Sequence, residues 1–319
     1  MKRNKALFLP YKISNGKLRY FVCKKVGRRE DLIPTGTCKK GEDQGQCAWR
    51  ELKEELGIKH FRNFFCIGSS QKFTIDRNKY FEKAFAFEID GPIKLQQSEL
   101  SSYRFLSKRE AIKLLSFKFH QDAINRCDDI IKNKKYQRIF VVVGPGGSGK
   151  DTIIHEVAKA DKRIKKIKTY MTRHYKTRND SKLRIYINEK NLRTLERAGD
   201  IIEKNKMVGY WYASSYLQII KTLGSGYDGI VNVDINGSQF YQKNFSNVVS
   251  IFISAKTQDL TRRLVARHRD SSSYIKARMA VTKEEVAKSH CCDYTIVNRQ
   301  NKLDQSVAQL SRIIEENRK

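Results

Sequence analysis

Three glutamates, Glu51, Glu54 and Glu55, stand at i, i+3 and i+4 in a stretch with helical periodicity, so three carboxylates share one face. Like charges that close repel one another. A hard cation offsets the repulsion, because Mg²⁺ prefers oxygen ligands and also holds phosphate oxygens. Such a set, with Mg²⁺ or Mn²⁺, could neutralise a pyrophosphate and activate a water to attack phosphorus. The same spacing also suits a plain solvated acidic helix. Arg50, just before the trio, is positioned to pair with Glu42 and brace the intervening loop, while Leu52 and Leu56 turn to the opposite face.

A second group is built for phosphate. Gly144-Pro145-Gly146-Gly147-Ser148-Gly149-Lys150-Asp151-Thr152 directly follows the apolar run Ile139-Phe-Val-Val-Val143. A buried strand, a glycine-rich turn and a helix start place backbone N–H groups around an anion, with the helix dipole favouring it. Lys150 would reach the β- and γ-phosphates of ATP. Asp151 stands where a Ser or Thr normally follows the lysine to hold Mg²⁺. Either Thr152 substitutes for that hydroxyl or the Asp151 carboxylate serves the ion.

The elements that must carry these residues divide in two. Residues 6–26 read as a hairpin turning at Asn15-Gly16. A loop through 27–41 leads to a helix at about 43–56 that Gly57 ends, then to strands near 62–75 and 82–90. A helix follows Ser107, which Glu110 completes as a capping box, and another covers 119–132. Beyond the charged segment Lys132–Arg138, strands at 139–143, 166–170, 229–234, 249–253 and 294–297 alternate with helices. The expected domains are 1–134, of α+β type, and 135–319, of α/β type with a parallel sheet. At 319 residues, two cores are the starting expectation.

The stretch from Gly36 to Ile58 fits GX5EX7REUXEEXGU (U aliphatic) at every fixed position, and this resembles the Nudix box. The resemblance covers roughly 4–130, with Pro34 and the 98–115 stretch similar to the family's flanking segments. It implies a mixed sheet flanked by helices, Mg²⁺ held by Glu51, Glu54 and Glu55, catalytic roles for Glu54 and Glu55, and Glu99 as a weaker candidate ligand or base. The implied reaction is hydrolysis of a nucleoside diphosphate linked to some moiety X. Thr35 departs from the glycine many members carry there.

From 138 to 300 the chain resembles guanylate kinase. Thr172-Arg173-His-Tyr-Lys176 is similar to TTRxxR, Glu203 with Gly209–Ser214 to FLE…GxxYGTS, Val233–Gly237 to IDVQG, and Asp293–Asn298 to DYxIxN. The resemblance implies that Arg173, Lys176 and Tyr212 grip the acceptor phosphate, and that Glu203 and Ser214 meet a guanine-like base. Asp234 would lie near the acceptor or metal. Arg263, Arg267 and Arg278 would clamp ATP and the transferring phosphoryl group. Lys150, Arg173, Arg267 and Arg278 are thus the expected catalytic residues of this half. Lys176 replaces an arginine and loses its fork, and Arg184 falls where the family has a tyrosine. A more basic acceptor pocket points to an acceptor with extra phosphate, whereas Glu203 and Ser214 point to a purine monophosphate.

Net charge is +30, from 64 Lys and Arg against 34 Asp and Glu. It favours polyanionic partners, nucleotides first and nucleic acid as a further candidate. That charge supports RNA 5′-end processing as an alternative to nucleotide metabolism. A non-catalytic, protein-binding guanylate-kinase-like module is another. The seven cysteines form no CxxC pair and read as reduced thiols of a cytoplasmic protein. No stretch has the apolar length of a membrane span, and nothing in the sequence speaks to oligomeric state.

Overall fold

The computed structural model describes residues 2–174, 183–207, 209–265, 282 and 285–318. By internal contacts the chain divides into two units, Met1–Gln137 with Leu223–Gly226, and Arg138–Thr222 with Tyr227–Lys319.

In the first unit, β1 (Lys2–Ser14) and β2 (Lys17–Lys25) form an antiparallel hairpin across Asn15 and Gly16, both at positive φ. The segment expected as loop contains two short strands, β3 (Asp31–Leu32) and β4 (Thr35–Thr37). Helix α1 (Gln44–Leu56) follows, then the hairpin of β5 (Asn63–Ile75) and β6 (Asn78–Glu88), and β7 (Leu100–Leu106). Helices α2 (Lys108–Leu114) and α3 (Lys118–Lys132) complete the unit. The strands make one sheet, ordered β3-β2-β1-β6-β5, with β4 on β1 and β7 on β2. It is mixed because β1 and β6 run parallel while the other pairs are antiparallel.

Period-2 alternation along β1 sends successive residues to opposite faces. Leu7, Leu9 and Tyr11 join Ala84 and Ala86 against Ala111, Ala123, Ile124 and Cys127. Away from that core, Trp49 of α1 meets Phe61 edge-on at 5.3 Å, and Phe64 and Phe87 lie 4.8 Å apart. The capping boxes at both helix starts close as residue types dictate, Asp43 with Gln46 and Ser107 with Glu110.

The second unit begins with β8 (Ile139–Val143), every residue of which is buried. After it come α4 (Lys150–Ala160), β9 (Ile164–Lys166), β10 (Thr169–Met171), β11 (Arg184–Tyr186) and α5 (Glu189–Arg197). Then follow β12 (Ile201–Met207), β13 (Tyr210–Ser215), α6 (Tyr216–Leu223), β14 (Asp228–Asn232) and α7 (Ile235–Asn244). The unit ends with β15 (Val248–Ser254), α8 (Thr257–Val265), β16 (Tyr294–Val297) and α9 (Leu303–Glu316). A wholly parallel sheet, β16-β15-β8-β14-β9, puts β8 at its centre.

The single strand expected at 166–170 is in fact two. Ile164–Lys166 pairs with β14, while Thr169–Met171 pairs with β13 in a separate sheet, ordered β11-β10-β13-β12. The chain leaves one sheet for another between Lys166 and Thr169. Among the described residues, no helix is long and apolar enough to cross a membrane.

Candidate functional sites

On α1 the acidic trio is organised by Arg50. Its Nε donates to Glu42 Oε1 at 2.7 Å and its Nη2 to Glu42 Oε2 at 3.0 Å, a two-point fork that ties the loop to the helix. Nη2 also reaches the Thr37 carbonyl at 3.1 Å. Nη1 lies 2.9 Å from Glu51 Oε1 and 2.8 Å from Glu54 Oε2. One guanidinium therefore holds three carboxylates, and Glu42 accepts in addition from the Lys39 backbone N–H at 2.8 Å. Gly36 is required by this packing: a Cβ there would sit inside the Glu51 side chain.

Glu55 stands apart. It is 4% exposed, and its Oε2 has no hydrogen-bond partner. Burial raises its pKa to about 7, Lys25 opposes that rise, and Glu51, Glu99 and Glu54 add to it. Among the described residues no three His, Cys, Asp or Glu side chains are arranged as a ready metal-ligating set, since Glu51 and Glu54 turn toward Arg50. A buried carboxylate oxygen with no donor, among further carboxylates, nevertheless has the chemistry a divalent cation satisfies. A Mg²⁺ ion there would be held by Glu55 with Glu51 and Glu54, and would supply neutralisation of phosphate charge and activation of water. Glu99 acts on this cluster as a neighbouring charge.

In the second unit the phosphate loop joins β8 to α4. Gly144, Gly147 and Gly149 all have positive φ, and Gly149 at φ 88 caps α4, so Lys150 and Asp151 occupy its first turn. Lys150 Nζ donates to the Pro145 carbonyl at 3.2 Å, curling over the loop. Gly146 and Ser148 complete it, Ser148 being fully buried. Asn298, at the end of β16, donates to the Ser148 carbonyl at 2.7 Å. A Cβ at Gly149 would collide with that amide. Arg263 on α8 donates to the carbonyls of Gly147 at 3.3 Å and Asn298 at 3.2 Å, so it braces the loop.

Asp151 accepts from the Asn232 amide at the end of β14 and lies 4.0 Å from Arg184 Nη1. Thr152 is exposed. The Arg184 guanidinium also lies over the Tyr212 ring, 5.9 Å from its centroid. Arg184 thus connects the start of α4 to the small sheet.

That sheet carries the remaining candidates. Ser214 Oγ donates to Glu203 Oε1 at 2.7 Å across the β12–β13 pair. Burial lifts the Glu203 pKa to about 7; the Ser214 hydroxyl opposes the rise and the Asp234 charge adds to it. Asp234 caps α7 through the Gly237 N–H at 2.8 Å and accepts from Asn205 at 2.7 Å. Arg173 follows β10, beside Thr172, whose hydroxyl accepts from the Trp211 N–H at 2.9 Å. Lys176, Arg267 and Arg278 lie outside the described residues.

Asn298, Asn232 and Asn205 were not among the expected site residues. Asn298 does close the Asp293–Asn298 segment, and Asn232 interrupts an apolar strand at its last position. Those placements are the available signals.

The family model for guanylate kinase matches residues 136–317, more than half of the chain. The chain belongs to the guanylate kinase family. Its earlier part carries a NUDIX domain, matched over residues 12–126, so the two are fused in one polypeptide. A guanylate kinase from Methylobacillus flagellatus is 27% identical over 162 residues, 50% of this chain and 80% of that protein. The crystal structure of guanylate kinase from Anaplasma phagocytophilum aligns with 20% identity and a TM-score of 0.46, over 58% of this chain and 87% of that one. The MutT protein from Methanosarcina mazei Go1 aligns with 19% identity and a TM-score of 0.35, over 42% and 96%. Both families are enzymatic and generally use Mg²⁺, the kinase with ATP. The fusion therefore belongs to nucleotide metabolism.

Proposed function

We propose that the protein is bifunctional. The guanylate kinase unit transfers phosphate from ATP to a purine nucleoside monophosphate, and the NUDIX unit hydrolyses a nucleoside diphosphate linked to X. The observation that carries the reading is the phosphate loop: three positive-φ glycines, Lys150 folded over them, and Asn298 and Arg263 bracing the carbonyls from behind. Backbone N–H groups and a helix start then face an anion, which suits a transfer that depends on positioning and charge stabilisation.

The Glu203–Ser214 pair supports a guanine-like acceptor, because a carboxylate accepts two parallel N–H bonds from the N1 and 2-amino edge, and the Ser214 hydroxyl, turned from Glu203, would then be free to donate to O6. Arg173, Lys176, Tyr212 and Arg184 hold the acceptor phosphate in this reading, and Arg267 and Arg278 the transferring group. Asp234, at the start of α7, holds Asn205, which pairs in register with Tyr212. The partial use of Arg184 by Asp151 favours a monophosphate over a bisphosphate, because part of its charge is already balanced. For the NUDIX unit, the support is the unpartnered Glu55 oxygen.

The test assays both activities in one preparation. Glu55→Gln abolishes Mg²⁺-dependent release of nucleoside monophosphate and leaves ADP production intact, and Lys150→Ala does the reverse. If each substitution left both activities unchanged, the assignment of both sites would be wrong.

A further inference from the structure

Away from the metal-binding glutamates, the NUDIX sheet holds a polar row that no structural need explains. Lys5 on β1 pairs in register with Glu82 on β6, and Glu82 with Gln71 on β5. Three adjacent strands thus present Lys5, Glu82 and Gln71 side by side. The period-2 pattern puts them on the face of Leu7, Leu9 and Ala84, where the sheet is otherwise apolar core. Glu82 is 2% exposed. Its Oε2 accepts from Gln71 Nε2 at 2.7 Å, while its Oε1 is buried with no partner. A carboxylate oxygen left so in the free protein carries an unfavourable desolvation cost, which a ligand donor would remove.

Two cations, Lys5 and Lys25, act electrostatically on this carboxylate. Lys5 is itself partly desolvated, and Glu82, Lys25 and Arg28 are its charged neighbours. Lys25 acts electrostatically on Glu82 and on Glu55 alike, so the row and the carboxylate of α1 belong to one continuous field. The His120 ring also neighbours Lys5. It is 8% exposed, with burial first and Lys5 second lowering its pKa to about 4, so it is neutral at physiological pH. Its Nδ1 accepts from the Ile33 N–H at 3.1 Å. That leaves the proton on Nε2. Phe117, 47% exposed, has its ring 5.3 Å from that of His120 and offers an apolar surface on which a flat group can stack.

A ligand that brings an N–H donor to Glu82 would satisfy that oxygen, and a planar ring on it would stack against Phe117. We propose that Lys5, Glu82 and Gln71 form the base-recognition subsite of the NUDIX unit, selecting nucleoside diphosphate derivatives whose base carries an exocyclic amino group. Guanine, adenine and cytosine offer such a donor. Uracil's one N–H donor, N3–H, lies between two carbonyl oxygens that would face the carboxylate oxygen unfavourably. A site built to satisfy one polar group discriminates strongly against analogues that lack it. This inference rests on the hydrolase reading of the first unit.

The test measures release of nucleoside monophosphate by the full chain from GDP-, ADP-, CDP- and UDP-linked sugars with Mg²⁺ and no ATP. The wild type and two variants of similar volume, Glu82→Gln and Glu82→Met, are compared, with thermal melting and kinase turnover as controls for folding. The expected result is that the wild type prefers at least one amino-bearing substrate over the UDP compound. Both variants should then lose about ten-fold or more of kcat/KM on that substrate while UDP-sugar turnover holds. Equal losses on all four substrates, or no loss on any, would overturn the base-recognition role while leaving the hydrolase reading intact. A wild type that hydrolyses no member of the panel would remove the hydrolase reading itself, and this inference with it.

Discussion

The side-chain amide of Asn298 donates to the Ser148 carbonyl across 2.7 Å, joining positions 150 apart in the sequence. Its Oδ1 in turn accepts from Ser306 Oγ at 3.2 Å. Residues at the end of β16 therefore fix the shape of a loop built at the end of β8. Asn298→Ala leaves the Ser148 carbonyl without this donor, which costs about 1–3 kcal/mol. We expect a lower Tm and a several-fold higher KM for ATP, with little change in the KM for the acceptor. Steady-state kinetics varying each substrate separately checks this, and equal rises in both KM values would count against a role confined to the phosphate loop.

Gly149→Ala strikes the same contact from the other side. The substitution demands a positive φ of a residue with a Cβ, and it drives that Cβ into the Asn298 amide. A backbone strain of about 1 kcal/mol and displacement of Asn298 should act together. The predicted outcome is loss of ATP binding by calorimetry, with secondary structure retained by circular dichroism.

Arg50 holds Glu42, Glu51 and Glu54 at once. Arg50→Lys keeps one charge and loses the fork, so loop and helix separate and the glutamates regain their mutual repulsion. Hydrolysis by the NUDIX unit should fall at least ten-fold while kinase turnover is unchanged. Measuring both activities on one sample reveals this split.

Glu203 gives a pH signature. Burial raises its pKa from the model-peptide value of 4.5 to about 7. Between those values the folded chain holds a proton that the unfolded chain has released, so this residue's contribution to stability falls as pH rises through that window. Above pH 7 the penalty is fully present, roughly 1 kcal/mol or more after allowance for its partial exposure. Glu203→Gln should therefore melt higher than the wild type at pH 8, with the difference closing below pH 4.5. Melting curves across that range test the sign, and a variant less stable at pH 8 would show that the carboxylate is better compensated than its surroundings indicate.

Glu55 predicts a metal effect of the same origin. At pH 8, Mg²⁺ should raise the Tm of the wild type by satisfying the buried oxygen, and Glu55→Gln should erase most of that increase. The comparison is made without nucleotide, so that ATP-bound metal does not contribute.

Local chemistry explains how much was legible in the sequence. The Asn15-Gly16 turn, the Ser107–Glu110 capping box and the Glu42–Arg50 fork each join residues at most eight positions apart, and local spacing identifies them. The break between β9 and β10 was not legible, because Ile164–Met171 carries no glycine or proline to mark it. Which sheet each half joins is decided by Ile230 on β14 and Ala213 on β13, both far along the chain. Asn298 was visible only as part of a resemblance, and its contact with Ser148 appears only when β16 and β8 are brought together. Glu82 was hidden for a different reason: a charge in an alternating strand reads as a solvent-facing position, and only the register with Lys5 and Gln71 shows it turned inward.

The proposed phosphoryl transfer to a purine monophosphate depends on Lys150 and Glu203. The most direct measurement is ADP release from ATP and Mg²⁺ over GMP, dGMP, AMP, the pyrimidine monophosphates and nucleoside bisphosphates, with Lys150→Ala and Glu203→Gln beside the wild type. Turnover is expected on GMP or dGMP and is abolished by Lys150→Ala, while Glu203→Gln loses the preference for guanine over adenine. Turnover confined to a bisphosphate, or none on any acceptor with the wild type, would contradict it.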